Sequence, residues 1–195
     1  MQNYDAILGS SSPRRKQLLE STGLKLNIIS PDIEEQRRAG EAPKDYVLRN
    51  AKEKSAAILK EFPDCILPII TADTIVSLDD KVLEKPEDAN DAFAMLSKLS
   101  GKTHEVYTGV CILSAQRTNI FSVKTNVEMK CLSDEEIKAY IATGEPMDKA
   151  GSYGIQGKAS YFVKAIFGSY TNVVGLPLTE TIDILKNEFH IKIWG

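Results

Sequence analysis

Histidine and cysteine are scarce in this chain of 195 residues, which contains two histidines and three cysteines. His104 and His190 are too few for a histidine-rich metal site. Cys65, Cys111 and Cys131 are odd in number, lie far apart and form no CxxC pair, so neither a zinc site nor a disulfide framework is expected. We predict three reduced thiols in or near strands, which is typical of a cytoplasmic protein.

Long apolar runs and a strong excess of one charge are missing as well. No stretch approaches the roughly 20 apolar residues that a membrane-spanning helix needs, and the start, MQNYDAILG, lacks the basic and apolar regions of a signal peptide. The net charge is −3, so bulk attraction to nucleic acid or to an anionic membrane is not expected. The sequence therefore predicts a cytoplasmic protein that binds neither, with any anion site being local.

Three common sequence motifs for nucleotide binding or serine catalysis are also absent. The stretch DKAGSYGIQGKASYFV, residues 148–163, is close to a P-loop, but Gly151 and Gly157 are one residue too far apart. Ala159 also follows Lys158 where a P-loop requires Ser or Thr. The stretch is not GxGxxG either, and no GxSxG motif supports serine catalysis. Its glycines still permit close approach of a ligand to the backbone, so we predict a hinge or a site loop here.

Helix and strand patterns mix irregularly along the chain. Strands are predicted at residues 5–9, 25–30, 65–78, 103–114, 119–130, 161–169 and 190–194, with a hairpin turn at 79–81. Helices are predicted at residues 13–22, 43–62, 87–99, 133–144 and 179–189, the fourth opening with a Ser133–Glu136 capping box. Because strict βαβ alternation is missing, we predict an α/β fold with a mixed β-sheet flanked by helices. No linker divides the chain, so one domain is expected over residues 1–195.

Two arginines open the first predicted helix, in the stretch SSSPRR at residues 10–15. Ser12 suits the N-cap and Pro13 the first helical position. A helix start leaves backbone N–H groups free and carries partial positive charge, so hydroxyls and guanidiniums beside it favour phosphate binding. A capped helix with solvated arginines is the alternative. The position directly after an apolar strand favours a ligand site, because α/β sheets usually bind ligands there.

Acidic residues provide the second kind of signal. Asp73, in TADT, stands within an apolar β-rich run, where a carboxylate is costly unless it binds a metal, pairs with a cation or handles protons. An aspartate in a turn at a strand end is the alternative. The paired carboxylates of IEEQ, residues 33–36, either lie on a solvated loop or join Asp73 in holding a hard cation. The lysines of KEK (52–54) and EKP (84–86) are weak signals on their own.

Seven stretches of the chain occur together, in one order, in a known family: GSSSPRR, EEQ, TADTIV, LEKP, LSGKTHEVYTGV, GEPMDKAGSYGIQG and SYTNVVGLPL. This is the order of motifs in Maf proteins, which the chain resembles over nearly its whole length. The resemblance implies an inosine-triphosphatase-like fold, with an elongated mixed sheet and a cleft between two lobes. It also implies a nucleoside triphosphate pyrophosphatase that releases a nucleoside monophosphate and pyrophosphate, assisted by a divalent cation. Because the candidate ligands are carboxylate oxygens without usable histidine or cysteine, Mg²⁺, Mn²⁺ or Co²⁺ is expected.

The resemblance also implies roles for individual residues. Asp73 matches the proton acceptor of the family. The phosphate- and metal-handling positions are matched by Ser10, Arg15, Glu35, Lys54 and Lys85, with Asp73 as a second metal ligand and Glu34 as the alternative to Glu35. The positions that divide the subfamilies are matched by Arg14, Thr74 and Gln156. TADT together with GIQG resembles the branch that acts on dTTP and UTP, not the branch that acts on 7-methyl-GTP.

Two functional hypotheses follow. In the first, Asp73 orients and deprotonates a water, Glu35 and Asp73 hold the cation, and Lys54 and Lys85 neutralise the polyphosphate of an ordinary or modified pyrimidine nucleotide. The resemblance further suggests a homodimer. In the alternative, the chain is a nucleotide-binding regulator of cell division with incidental hydrolysis, since the family was first linked to inhibition of septum formation. The sequence supports this alternative weakly, because it shows no polybasic patch or disordered arm.

Overall fold

The computed structural model describes residues 4–194 of the chain. Within these residues one sheet contains seven strands: β1 (Ala6–Leu8), β2 (Leu26–Ile28), β3 (Ile69–Leu78), β4 (Lys81–Leu83), β5 (Thr103–Leu113), β6 (Thr118–Met129) and β7 (Val163–Phe167). The α-helices are α1 (Pro13–Glu20), α2 (Pro43–Glu61), α3 (Ala89–Leu99), α4 (Asp134–Ile141), α5 (Tyr170–Val174) and α6 (Leu178–Asn187). Short 3₁₀ turns follow α4.

The sheet has the strand order β2-β1-β3-β5-β6-β7, and β4 pairs with β3. β1 is parallel to both β2 and β3, whereas β3, β5, β6 and β7 are each antiparallel to the next. Helices pack on both sides of these strands. The predicted fold class, a mixed β-sheet flanked by helices, is therefore confirmed.

One edge of β3 is shared by two short strands. β1 pairs with Ile69 and Ile70, and β4 pairs with residues 76–78. β5 occupies the opposite edge of β3 over residues 69–77. In the described part of the chain, residues 71–75 therefore have no strand partner on the first edge. This gap exposes β3 backbone between β1 and β4, and the candidate site lies beside it.

The α2 helix covers one face of β3 and β5. Val47, Ala51 and Ile58 recur at helical spacing on its buried side and are at most 1% exposed. Gly109 of β5 makes the close packing possible, because a Cβ at this position would lie 2.4 Å from the Val47 carbonyl oxygen. Gly109 is paired with Asp73 in the sheet. The missing side chain thus lets α2 approach the strand that carries Asp73.

Two apolar clusters form on the other face of β3. Ile70 and Ala72 pack with residues of α1 and α6, whereas Val76 and Leu78 pack with residues of α3 and α4. Thr74, which points to the same face, lies between these pairs along the strand. The two clusters therefore flank a polar position at the middle of β3.

Local sequence signals specify several element ends. The predicted capping box is confirmed: Ser133 and Glu136 hydrogen-bond each other's backbone N–H groups at the start of α4. Asp79 and Asp80 form the predicted hairpin turn between β3 and β4, with φ values of 51° and 61°. Aspartate tolerates this left-handed conformation better than most residues do. α1 begins at Pro13 directly after Ser12, also as predicted.

The predicted strand at residues 190–194 is wrong. Ile191 donates its N–H to the Leu185 carbonyl oxygen, and Ile191 and Ile193 pack against the cluster of α1 and α6. Their alternation with polar residues arises from this packing and not from pairing in a sheet. Phe62, the last residue of the helix predicted at 43–62, lies just after the end of α2 and is 40% exposed.

The positions of the three cysteines agree with the prediction of thiols in or near strands. All three are free thiols, with Cys111 buried in β5, Cys65 half-buried before β3 and Cys131 exposed after β6. Among residues 4–194, no helix has both the length and the apolar character needed to cross a membrane.

Candidate active site

A cavity of about 610 Å³ opens beside the unpaired edge of β3. Its walls come from α2, β3, β5, the start of α1, the end of α5, and the segments that follow β2, β4 and α4. The nine site residues predicted from the sequence fall into two groups. Those that line the cavity are Ser10, Arg14, Arg15, Glu35, Lys54, Asp73, Thr74 and Lys85. Gln156 does not line it.

Asp73 is 7% exposed and is held by two side chains of α2. Lys54 Nζ donates to Asp73 Oδ1 at 2.9 Å and to Glu35 Oε2 at 2.7 Å. Asn50 Nδ2 donates to Asp73 Oδ2 at 3.0 Å. Asn50 and Lys54 are four residues apart and therefore share one face of α2. The helix thus presents a donor to each oxygen of the buried carboxylate.

The charge of Asp73 is stabilised despite its burial. Burial alone raises the pKa of this carboxyl, but the positive charge of Lys54 and the hydrogen bonds around it outweigh that effect. The pKa of Asp73 consequently lies below its ordinary value of 3.8. The side chain is a carboxylate at neutral pH, and each oxygen retains a lone pair for a further donor. It can therefore accept a hydrogen bond from a water in the cavity.

Arg15 is fixed in the cavity wall by three different acceptors. Its Nε donates to the Gly175 carbonyl oxygen at 2.8 Å, and its two terminal nitrogens donate to Ser10 Oγ and Thr74 Oγ1, both at 3.1 Å. Burial lowers the pKa of Arg15, and the charges of Asp73 and Glu35 partly offset that effect. A guanidinium carries five N–H donors, so two remain for an anionic ligand.

The N-terminus of α1 adds backbone donors beside Arg15. Ser12 occupies the N-cap position but makes no side-chain capping bond, and its own N–H donates to Ser10 Oγ at 3.2 Å. The first turn therefore has no side-chain acceptor within residues 4–194. Free N–H groups at a helix start bind anions well. The start of α1 therefore brings free backbone N–H groups and Arg15 to the same wall of the cavity.

The remaining cations differ in how firmly they are held. Arg14 lies 3.8 Å from Asp148 of the loop after α4, and both residues line the cavity. The pair is partly exposed, so it contributes little to stability. Lys85 is exposed and has no ion-pair or hydrogen-bond partner in the described part of the chain. Its charge is available to a ligand.

The two glutamates of IEEQ point to different partners. Glu35 lines the cavity and accepts from Lys54. Glu34 accepts from Gln36 at 2.5 Å and does not line the cavity. Of the two alternatives left open by the sequence, Glu35 has the placement that a cation site beside Asp73 requires.

Thr74 faces the side of β3 opposite to Asp73. Besides Arg15, its hydroxyl contacts Thr108 Oγ1 at 2.9 Å and the Gly175 carbonyl oxygen at 3.3 Å. Gln156 lies beyond this region, exposed on the loop after α4. Its neighbour Ile155 does line the cavity, so the Gln156 backbone lies at the margin although its side chain is outside.

Sequence reasoning missed Asn50, Tyr46 and Tyr153. Tyr46 lines the cavity, its hydroxyl lies 3.1 Å from Glu84 Oε1, and burial raises its pKa to about 12. Asn50 could have been found, because it is a polar residue in line with the buried side of α2. Tyr153, in the glycine-rich loop, also lines the cavity and is 5% exposed. The residues next to it in the sequence do not indicate that its side chain is buried or that it lines a cavity.

The lining changes in character along β3. Asp73 and the residues around it are charged, whereas Val76, Val106 and Tyr153 belong to one apolar cluster. Asp73 and Val76 are three residues apart in an extended strand, so their Cα positions are separated by about 10 Å along β3. An elongated ligand with an anionic end and an apolar or aromatic end fits this arrangement.

Two of the solved structures that match this chain align with low scores. The Ham1 protein of Staphylococcus aureus is 14% identical, with 64% of this chain and 71% of that chain covered and a TM-score of 0.44. A nucleoside-triphosphatase / dITP/XTP pyrophosphatase from Mycobacterium abscessus is 12% identical, with 91% and 93% covered and a TM-score of 0.43. Neither score is high enough to support a conclusion about this chain.

Comparison of sequences gives much stronger matches. A family model described as Maf-like protein matches residues 5–188. A dTTP/UTP pyrophosphatase of Photorhabdus laumondii is 52% identical, covering 93% of each chain. Proteins of the same name from Acinetobacter baylyi and Bacillus cytotoxicus are 48% and 47% identical, covering 92% of this chain and 97% and 93% of their own. The chain therefore belongs to the Maf family.

Proposed function

We propose that the chain is a nucleoside triphosphate pyrophosphatase that hydrolyses dTTP and UTP to the nucleoside monophosphate and pyrophosphate. The main support for this proposal is that one cavity brings together four charged residues and also has apolar lining residues. The four charged residues are Asp73, Lys54, Glu35 and Arg15. The names of relatives that are 47–52% identical support the same activity. The reaction needs a positioned water and fixed positive charge, and the cavity contains groups suited to both.

Asp73 is the proposed general base. Its ionised carboxylate, oriented by Asn50 and Lys54, accepts a hydrogen bond from the attacking water and takes its proton. Because both oxygens are already held, the carboxylate does not need to reorient when substrate binds. The water attacks the α-phosphorus, and pyrophosphate leaves.

Negative charge that develops on the phosphoryl oxygens is stabilised by groups fixed beforehand. Arg15 offers its two remaining N–H donors beside the start of α1, and Lys54 and Lys85 supply ammonium groups. Because Arg15 is held by Ser10, Thr74 and the Gly175 carbonyl, it is already in place when charge develops. Such preorganisation is usually the largest contribution to phosphoryl-transfer catalysis.

A divalent cation fits the residues that are present. Glu35 Oε2 and Asp73 Oδ1 both accept from Lys54 Nζ, at 2.7 and 2.9 Å, so the two carboxylates lie side by side in the cavity. No group of three or more histidine, cysteine or acidic side chains forms a metal cage within residues 4–194. Mg²⁺ is commonly held by one or two carboxylates together with substrate phosphates. Glu35 and Asp73 would hold the cation, which would withdraw charge from the phosphate oxygens; Mg²⁺, Mn²⁺ and Co²⁺ all suit oxygen ligands.

The proposed base-reading residues are Arg14, Thr74 and Gln156. Uracil and thymine present the O4 acceptor beside the N3–H donor, and a glutamine amide can pair with both. Gln156 follows Ile155 at the cavity margin, so this contact requires the amide to turn toward a bound base. Modified pyrimidine nucleotides remain within the proposed substrate class. We further propose a cytoplasmic homodimer, consistent with the free thiols and the family resemblance.

The test is pyrophosphate release from a panel of nucleoside triphosphates with Mg²⁺ or Mn²⁺. We expect dTTP and UTP to be the best substrates, CTP to be weaker and purine triphosphates to be poor. Asp73→Asn should lower turnover about 100- to 10,000-fold, the usual contribution of a general base. The variant should stay folded because Lys54 keeps Glu35 as a partner. Silence of the wild type across the panel would favour the cell-division regulator, and near-normal turnover of Asp73→Asn would remove Asp73 from the mechanism.

A further inference from the structure

A buried histidine lies behind the wall of the cavity. His104 of β5 is 1% exposed and does not line the cavity. Its Nε2 lies 2.7 Å from Tyr153 Oη, and the two rings meet edge to face with centroids 5.3 Å apart. Tyr153 does line the cavity. The tyrosine ring therefore stands between the ligand space and the histidine.

The imidazole in this hydrogen bond is uncharged. Burial lowers the pKa of His104 to about 4, so the imidazole is neutral at pH 7 and carries one N–H. Nδ1 is buried and has no hydrogen-bond partner within residues 4–194. In one tautomer the Nε2–H donates to Tyr153 Oη, and in the other the Tyr153 hydroxyl donates to Nε2, so the same two atoms are joined in both. His104 thus fixes the hydroxyl end of the Tyr153 side chain by a buried hydrogen bond.

The backbone of the same loop is also anchored. Gly151 and Ser152 precede Tyr153 with φ values of 67° and 61°, both in the left-handed region. The Gly151 N–H donates to the Glu84 carbonyl oxygen at 3.0 Å, and a Cβ at Gly151 would lie 2.8 Å from Val76. Ser152 Oγ contacts the sulfur of Met95 at 3.1 Å. The loop is therefore seated on β3, β4 and α3, and the Tyr153 ring has little freedom to retreat.

The position of this ring matches the far end of the proposed substrate. Tyr153, Val76 and Val106 form the apolar end of the cavity, about 10 Å along β3 from Asp73. With the α-phosphate at Asp73, the base reaches this end. We propose that Tyr153, positioned by His104, is the end wall of the base pocket and makes the cavity too short for a bicyclic purine. This inference rests on the proposed function and adds a specificity-determining residue to it.

The test compares kcat/KM for dGTP and dTTP, measured by pyrophosphate release. Tyr153→Ala removes the wall and should raise the dGTP-to-dTTP ratio by about tenfold or more, since pocket-size changes of this kind are worth 10- to 200-fold. Tyr153→Phe and His104→Leu keep the ring but remove its anchor, and each should raise the ratio several-fold. His104→Gln retains a side chain that can donate or accept a hydrogen bond and should keep the ratio near that of the wild type.

A purely structural role would lower kcat/KM for both nucleotides equally. Tyr140→Phe is the matched control, because Tyr140 is also a buried tyrosine with a hydrogen-bonded hydroxyl but does not line the cavity. The dGTP-to-dTTP ratio of kcat/KM for Tyr140→Phe should equal that of the wild type. An unchanged ratio in folded Tyr153→Ala, or in His104→Leu if Tyr153→Ala does not fold, overturns the inference while leaving the proposed function intact. A wild-type protein that releases no pyrophosphate from either nucleotide overturns both.

Discussion

His104 should make the folded protein sensitive to mild acid. Folding lowers the pKa of this side chain from 6.5 to about 4, because burial removes the imidazole from water. Below pH 6.5 the unfolded chain therefore binds a proton that the folded chain does not. The stabilising contribution is fully present above pH 6.5 and is lost as the pH falls toward 4. Because the side chain is 1% exposed, solvent screening does not reduce it appreciably.

The size of the effect follows from the pKa difference. Each tenfold change in proton affinity is worth about 1.4 kcal/mol, so the full loss near pH 4 is roughly 3 kcal/mol. About 2 kcal/mol of this should be lost between pH 7.5 and pH 5.0. Single domains are stable by about 5–15 kcal/mol in total, so the loss is large enough to measure by urea denaturation followed by far-ultraviolet circular dichroism.

Two histidine variants isolate the contribution. In His104→Gln the free energy of unfolding should change much less between pH 7.5 and 5.0, because the titrating group is gone while an N–H donor remains. His190→Gln, at the exposed second histidine, should keep the wild-type slope. The pKa values of Asp73 and Glu41 are also lowered, that of Glu41 to about 2 by the hydrogen bond from Arg49. Their contributions are lost only below about pH 4.5. A His104→Gln slope equal to that of the wild type would refute the reasoning.

Four further outcomes follow from the site and the packing around it. Lys54→Met leaves the Asp73 carboxylate buried without its cation and should lower the free energy of unfolding at pH 7 by about 3–5 kcal/mol, measured in urea; a change below 1 kcal/mol would contradict this. Gly109→Ala places a Cβ 2.4 Å from the Val47 carbonyl oxygen, so it should cost about 1–3 kcal/mol and lower kcat, unless α2 can shift freely. EDTA should abolish pyrophosphate release and added Mn²⁺ or Mg²⁺ should restore it; full activity in excess chelator would exclude the cation. Gln156→Glu should impair UTP most and favour GTP, because a carboxylate only accepts; an unchanged UTP-to-GTP preference would show that Gln156 does not read the base.

The parts of the fold that were predictable depend on local chemistry. The capping box of Ser133 and Glu136, the start of α1 at Pro13 and the Asp79–Asp80 turn are each specified by a few adjacent residues. The segment at residues 190–194 shows the limit of this approach. Alternating isoleucines indicate one buried side, but only tertiary structure decides whether that side belongs to a strand or to a coil packed on helices.

The candidate site shows the same limit at longer range. Its predicted residues came from motifs far apart in sequence, and no periodicity indicated that Lys54 would reach both Glu35 and Asp73. That contact depends on α2 lying against β5, which Gly109 permits. The side-chain direction of Gln156 is likewise absent from its motif, because a loop residue can point toward or away from a cavity without a change in sequence pattern.

The alternation of side chains along β3 separates two tasks that adjacent residues perform. Asp73 faces α2 and its lysine, whereas Thr74 faces Arg15 and the Gly175 carbonyl. With Thr74 as a proposed base-reading residue, a substitution there should change which nucleotide is accepted without moving the groups that hold Asp73. A one-residue insertion before Asp73 would exchange the two faces and abolish both tasks together. Divergence of substrate choice within such a scaffold should thus proceed by point substitution on one face of this strand, while its length stays fixed.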